Sequence, residues 1–182
     1  VTHDYDFRTQ WRVAAAPEEV ATILGDAAAL PRWWPAVYLA VRVRAVGGET
    51  GLGQIVDLHT KGWLPYTLRW TLTVTEPVTV DGFALRAQGD LNGEGRWVFT
   101  ADGPETIVDY HWQVSAAKPL LRRLSWLLRP AFEANHRWAM RLGEQSLRLE
   151  LRLRRAVTEQ QRRRIPAPPG PTFRGAPRHP RG

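Results

Sequence analysis

Two histidines in this 182-residue chain each follow an aspartate by two positions, in Asp57-Leu58-His59 and Asp109-Tyr110-His111. A carboxylate next to an imidazole can relay a proton, the usual equipment of general acid–base catalysis. Residues i and i+2 of a strand share one face, so each pair can meet. In both segments, however, the apolar residues alternate on the other face: Val56 and Leu58 in the first, Val108, Tyr110 and Trp112 in the second. Both pairs are therefore expected on the watered face of a sheet, as cross-strand surface pairs. His136 falls about 100° away from the apolar stripe of a helix and is expected at its periphery. No two of the five histidines stand at i, i+3 or i, i+4, so the metal-ligand spacing of a helical site is missing and neither a metal nor a cofactor is expected. The run Gly47-Gly-Glu-Thr-Gly-Leu-Gly53 resembles a phosphate loop. It joins two strands and not a strand to a helix, so a hairpin turn is expected. The chain has no cysteine, which removes thiolate nucleophiles and disulfides and fits a reducing, cytoplasmic setting.

What remains is aromatic and basic. Nine tryptophans are many for this length, and two adjoin in Leu30-Pro-Arg-Trp33-Trp34-Pro35. The side chains that could form an apolar site are Trp33, Trp34, Tyr66, Trp70, Trp97, Tyr110, Trp112 and Trp138, with Asn135 and Ser146 as polar groups on the same helix stripe. Rings of this kind with few polar handles suit a hydrophobic or ring-bearing ligand. The two prolines would hold Trp33 and Trp34 at the lip of such a site. The alternative is that one indole is core and the other covers the sheet edge.

These side chains need a scaffold, and the patterning supplies one. Phe7 to Val13 alternates as a strand. Pro17-Glu18-Glu19 opens a helix with acids at its positive end, and Asp26 can cap a second short helix, Ala27 to Leu30. Six alternating segments follow, Val37 to Val46, Gln54 to Lys61, Tyr66 to Thr75, Phe83 to Gln88, Arg96 to Ala101 and Thr106 to Ser115, divided by turn signals that include Asn92-Gly93. A long helix, Pro119 to about Ala156, is interrupted at Pro130. Centred on Asn135, its apolar stripe takes in Leu121, Leu124, Leu128, Ala131, Phe132, Trp138, Ala139, Leu142, Ser146, Leu149 and Leu153. The expected fold is α+β: a seven-stranded antiparallel sheet curled around a long C-terminal helix, with two short helices after strand 1 and a space between sheet and helix. Residues 1–156 form the expected domain. Residues 157–182, rich in proline and arginine and without a period, are expected to be disordered.

This order and four stretches resemble the START-related (SRPBCC) superfamily of helix-grip proteins: "LPRWWPAV", "KGWLPYTLRW", "GDLNGEGRW" and "NHRWAMRLGEQSL". The resemblance covers about Phe7 to Ala156. It implies binding of lipids, sterols, hormones or polyketides, and in a minority of members a cyclase activity, without a universal catalytic residue.

Charge is divided unevenly. Residues 1–116 carry nine basic and fourteen acidic side chains, residues 117–182 sixteen basic and four acidic. Arg137, Arg141, Arg148, Arg152 and Arg155 line the outer flank of the long helix. Arg141, Arg152 and Arg155 lack an acid four residues upstream, which offers a face to an anionic membrane surface or an acidic carrier protein. Nucleic acid ranks lowest, since no aromatic strip lies on the polar face. The leading expectation is a non-catalytic pocket for a small hydrophobic ligand. The alternatives are a polyketide cyclase or dehydratase acting in the same pocket, and an interaction module docking through the basic helix.

Overall fold

The computed structural model describes residues 5–116 and 125–172. Strand β1 (Tyr5–Val13) leads through helix α1 (Pro17–Leu24), a 3-10 turn (Ala27–Ala29) and helix α2 (Leu30–Trp33) into six strands. These are β2 (Tyr38–Ala45), β3 (Ile55–Lys61), β4 (Thr67–Val74), β5 (Gly82–Gly89), β6 (Leu91–Asp102) and β7 (Glu105–Ala116). Helix α3 (Ser125–Arg155) and a short α4 (Glu159–Arg163) follow. Short turns make β2 to β7 a meander, and β1 closes on the last strand, so the antiparallel order is β1-β7-β6-β5-β4-β3-β2. In the β1–β7 register, Phe7 opposes Trp112 and Trp11 opposes Val108, which puts the apolar parity of both strands on the face toward α3.

That parity holds across the sheet, with two local departures. A bulge in β2 skips Leu39: Tyr38 opposes Thr60 and Val41 opposes Leu58, so Tyr38 takes the inward place that uninterrupted alternation assigned to Leu39. The expected turn at Asn92-Gly93 lies inside β6. The chain turns earlier, at Gly89-Asp90, where the Asn92 side chain accepts a hydrogen bond from the Gly89 N–H (3.1 Å). Gly93 reads as a turn residue, but it is glycine because the β7 backbone comes close; an added Cβ would sit 2.0 Å from the Gln113 carbonyl oxygen.

Helix α3 runs unbroken through Pro130. The expected start at Pro119, with Leu121 and Leu124, lies outside the described residues. The helix is turned relative to the sequence-based stripe. Its covered face runs through Phe132, His136, Ala139, Met140, Gly143, Ser146, Leu147, Glu150 and Leu151, about 80° from a stripe centred on Asn135. Trp138, Leu142, Leu149 and Leu153 flank that face and are half-buried. Counting hydropathy alone ranked these above His136, Gly143 and Glu150, which are covered for reasons specific to their partners. Glu150, only 4% exposed, accepts two hydrogen bonds from Arg32 of α2 (both 2.7 Å) and one from Arg154 (2.7 Å).

The basic flank also changes. Arg155 is engaged: it donates to both carboxylate oxygens of Glu19 (2.8 and 2.6 Å) and to the Ala14 carbonyl (2.9 Å), tying the end of α3 to the start of α1. Arg148 pairs with Glu144 as its spacing implies (2.6 Å), whereas Glu133 pairs with Arg129 and not with Arg137. Arg137, Arg141 and Arg152 remain exposed. Beyond α3, Thr158 caps α4 by accepting from the Gln161 N–H (3.2 Å). Past α4, Ile165, Pro168, Pro169 and Pro171 are half-buried. No helix among the described residues is long and apolar enough to cross a membrane.

Candidate functional site

Between the concave face of the sheet and α3 lies a cavity of about 190 Å³. Its floor is built by strands whose inward residues differ sharply in size. Trp70, Trp97, Tyr110 and Trp112 fill positions on β4, β6 and β7, and all four line the cavity. The Trp97 and Tyr110 rings stack with centroids 3.9 Å apart, and Trp112 lies 5.8 Å from both Tyr110 and Trp70. This stack needs an empty place on β6, which Gly95 supplies: a Cβ there would come within 2.8 Å of both the Trp112 ring and the Tyr110 hydroxyl. The roof is Phe132, Asn135, His136, Ala139 and Met140 of α3.

The adjoining tryptophans have separate roles. Consecutive residues on a helical turn point about 100° apart. Trp34 faces the cavity, while Trp33, 1% exposed, belongs to the core behind it and is not part of the lining. Trp34 reaches α3 because residue 143 is glycine; a Cβ at Gly143 would lie 2.3 Å from the Trp34 ring. The bidentate Arg32–Glu150 pair fixes the turn that carries both indoles.

Asn135 lines the cavity, but its carboxamide oxygen already serves the scaffold. It accepts from the backbone N–H of Trp63 (2.8 Å) and Leu64 (3.4 Å), pinning the β3–β4 turn to α3. Gly62 makes this possible, since a Cβ there would overlap the Asn135 side chain at 2.0 Å. Tyr66 follows that turn and faces the cavity near Phe132, at 6.4 Å between rings. Two further expected residues lie outside the lining. The rotation of α3 carries Trp138 to the flank, and it takes fully buried Ser146 one to two turns past the cavity, into the packed part of the helix.

Sequence reasoning missed six polar side chains that the cavity does include: His136, Tyr5, Tyr38, Lys61, Gln54 and Thr60. His136 came in with the helix rotation. Its ring stacks on Phe7 (4.2 Å, planes 9° apart) and its Nε2 lies 3.3 Å from the Thr9 hydroxyl. Burial, helped by the positive charge of Arg137, pushes its pKa down to about 4, so the imidazole is neutral at pH 7. Tyr5 and Tyr38 also face inward. With Tyr66 and Tyr110 they account for all four tyrosines of the chain, each in the cavity lining. Burial raises the phenol pKa of Tyr38 and Tyr110 well above the ordinary value and that of Tyr66 to about 12; these three are proton-bearing donors. Lys61 shares strand parity with Asp57 and His59, which points to the watered face, yet it is buried at the end of β3 and touches the cavity.

The aspartate–histidine pairs lie on the opposite face of the sheet and do not face the cavity. His111 bonds Asp6 of β1 (2.7 Å), Asp109 accepts from Gln10 (2.9 Å), and Asp57 accepts from Thr71 (2.9 Å). These three find cross-strand partners and not their i+2 neighbours, while the buried Nε2 of His59 has no hydrogen-bond partner among the described residues. The Gly47–Gly53 run is the β2–β3 connection, with Gly47, Gly51 and Gly53 at positive φ.

A curled antiparallel sheet gripping one long helix around an aromatic cavity defines a helix-grip protein with an internal site. Within that class the chain belongs to the family described as polyketide cyclase/dehydrase and lipid transport, which matches residues 5–148. Solved structures share the fold. An aromatase/cyclase, Zhui, from a Streptomyces species superposes with TM-score 0.65 at 18% identity, covering 84% of this chain and 96% of its own. A START superfamily protein from Mycobacterium smegmatis gives 0.55 at 20%, covering 74% and 97%. A STAR-related lipid transfer protein from Xanthomonas axonopodis gives 0.57 at 20%, covering 81% and 85%. No curated protein sequence matches the chain significantly.

Proposed function

We propose that the chain binds a small, mostly apolar, ring-bearing ligand between the sheet and α3. The observation that carries this reading is the convergence of all four tyrosines and four tryptophans on one cavity, with no carboxylate in its lining among the described residues. Protonated phenols offer hydrogen bonds to carbonyl or hydroxyl oxygens of the ligand, and the indole faces supply flat apolar contact. The volume, about 190 Å³, is of the order of the 150 Å³ cavity that holds benzene in an engineered core, so a ligand of one or two rings suits this state of the protein. The family description and the neighbouring folds support a hydrophobic ligand or a polyketide-type substrate. Native mass spectrometry of gently purified protein should show a mass excess of one small molecule per chain. Trp112→Ala, which removes the centre of the floor, should lose it.

His136 favours a second reading, cyclase-type catalysis in the same cavity. A neutral imidazole can accept a proton, and nearby phenols can stabilise the resulting enolate oxygen. Benzoylacetone offers an acidic methylene on a ring-bearing diketone. Under this reading the protein speeds deuterium exchange at that methylene, and His136→Gln abolishes the acceleration while the fold is kept. Exchange at the buffer rate in the unaltered protein leaves the binding reading alone.

A further inference from the structure

The polar groups of the cavity are unevenly placed, and those beside the β3–β4 turn are donors. The Asn135 carboxamide oxygen is held by the backbone N–H groups of Trp63 and Leu64. Two N–H donors require an oxygen at that position, so the orientation of the amide is fixed and its nitrogen is left to donate elsewhere. That nitrogen remains accessible and makes no hydrogen bond among the described residues. The Tyr66 hydroxyl is likewise accessible and makes no hydrogen bond among the described residues. Burial raises its pKa to about 12, so it keeps its proton and donates too.

Lys61 stands at the same end. It closes β3, where it opposes Thr67, the residue after Tyr66, and it precedes Gly62, whose bare Cα lies against the Asn135 side chain. Lys61, Gly62, Tyr66 and Asn135 all line the cavity. With His136 neutral, Lys61 brings the only formal charge to the lining among the described residues. Glu133, two residues before Asn135 on α3, is turned to Arg129 and lies outside the lining. Further in, the rings of Trp70 and Trp112 lie 5.8 Å apart and offer flat apolar faces. Two donors and a cation at one end, with indoles beyond them, fit a ligand that is anionic at one end and flat at the other. A carboxylate has an oxygen for each donor, and its attraction to a positive charge is stronger in a dry cavity than in water. A cationic head would be repelled there, and an aliphatic chain would leave the ring faces unused.

We propose that the ligand is an aromatic monocarboxylate, its carboxylate held by the Tyr66 hydroxyl and the Asn135 amide nitrogen beside the charge of Lys61, and its rings lying on Trp70 and Trp112. This rests on the reading of the cavity as a site for a ring-bearing molecule and names the class of that molecule.

Calorimetric titration of the full chain at neutral pH with 2-naphthoate, and in parallel with 2-naphthamide, tests the proposal. The two probes share their rings and nearly their shape and differ in charge. One naphthoate per chain is expected, bound about tenfold more tightly than the amide. Tyr66→Phe removes only a hydroxyl and Lys61→Gln only a charge; each should weaken naphthoate by about tenfold, the loss of one charge-assisted contact. Lys61→Gln should leave the amide bound as before. If Lys61→Gln does not fold, Tyr66→Phe, which keeps the ring, decides alone. Equal or tighter binding of the amide, or naphthoate binding unchanged in Tyr66→Phe, would overturn the carboxylate and leave the cavity as a binding site. Failure of both probes to bind would overturn the inference together with the reading it rests on.

Discussion

His136 brings a neutral imidazole into the cavity, and that has a consequence for stability. Its pKa falls from the ordinary 6.5 to about 4 on folding. Between those values the unfolded chain holds a proton that the folded one does not, so stability should fall as pH drops from 6.5 toward 4 and level off below. The contribution is about 3 kcal/mol at most, from roughly 1.4 kcal/mol per unit of pKa. His59 is shifted in the same direction by its own burial and by Arg69, so the comparison must be with a single variant. Urea unfolding at pH 6.5 and pH 4.5 should show a smaller pH dependence in His136→Gln than in the parent chain. An identical pH slope in the two would mean that His136 is charged or exposed in solution. At the same scale, Gly95→Ala should push the Trp112 ring and the Tyr110 hydroxyl out of place. An overpacked site of this type costs about 1–3 kcal/mol, and near-ultraviolet circular dichroism would report the disturbed stack.

Helix α3 and the α2 turn set the shape of the cavity, and they show what patterning can reveal. Strand parity placed Trp70, Trp97, Tyr110 and Trp112 correctly on the inner face, because period-two alternation leaves only two choices and one was plainly apolar. The phase of α3 was harder. A helix offers a continuum of directions, and its hydropathy count gave Trp138 and Leu149 more weight than Gly143 or Glu150. Gly143 is covered because Trp34 needs the space, and Glu150 because Arg32 and Arg154 meet it; neither reason exists within the helix sequence. Burial alone would push the Glu150 carboxyl up, but the hydrogen bonds from the two arginines outweigh it and hold the pKa below the ordinary value. Glu150→Ala removes charge-assisted hydrogen bonds and should lower stability by about 2–3 kcal/mol in urea unfolding. Gly143→Ala should also destabilise, although alanine favours helix by about 1 kcal/mol, because the new methyl meets the Trp34 ring. Its fluorescence should shift to longer wavelength as the indole is displaced.

At the scale of the whole molecule, the sheet curls so that its seven strands and one helix enclose more apolar surface than they fill. The excess is the cavity. The order of elements and the grip of sheet on helix were visible in the chain, because turn signals and a change of period from 2 to 3.6 are local. The cavity's polar content was not visible, since Tyr38 faces inward through a β2 bulge and His136 through helix phase. In the C-terminal segment Ile165, Pro168, Pro169 and Pro171 are half-buried, at positions with no apolar period of a helix or strand. A chain ending at Ala156 should therefore fold, yet lose roughly 1–2 kcal/mol from the apolar surface uncovered, seen as a lower Tm.

Uptake of a small apolar molecule between sheet and α3, as proposed, is open to a simple binding measurement. Titration with 1-aminonaphthalene, a neutral two-ring fluorophore within the size the cavity accepts, can be followed by quenching of tryptophan emission. Ala139 lies in the roof, so Ala139→Trp fills the cavity with an indole. Saturable binding of one fluorophore per chain is expected, and Ala139→Trp should abolish it while far-ultraviolet circular dichroism is unchanged. Absence of saturable binding, or binding of equal strength in the filled variant, would contradict it.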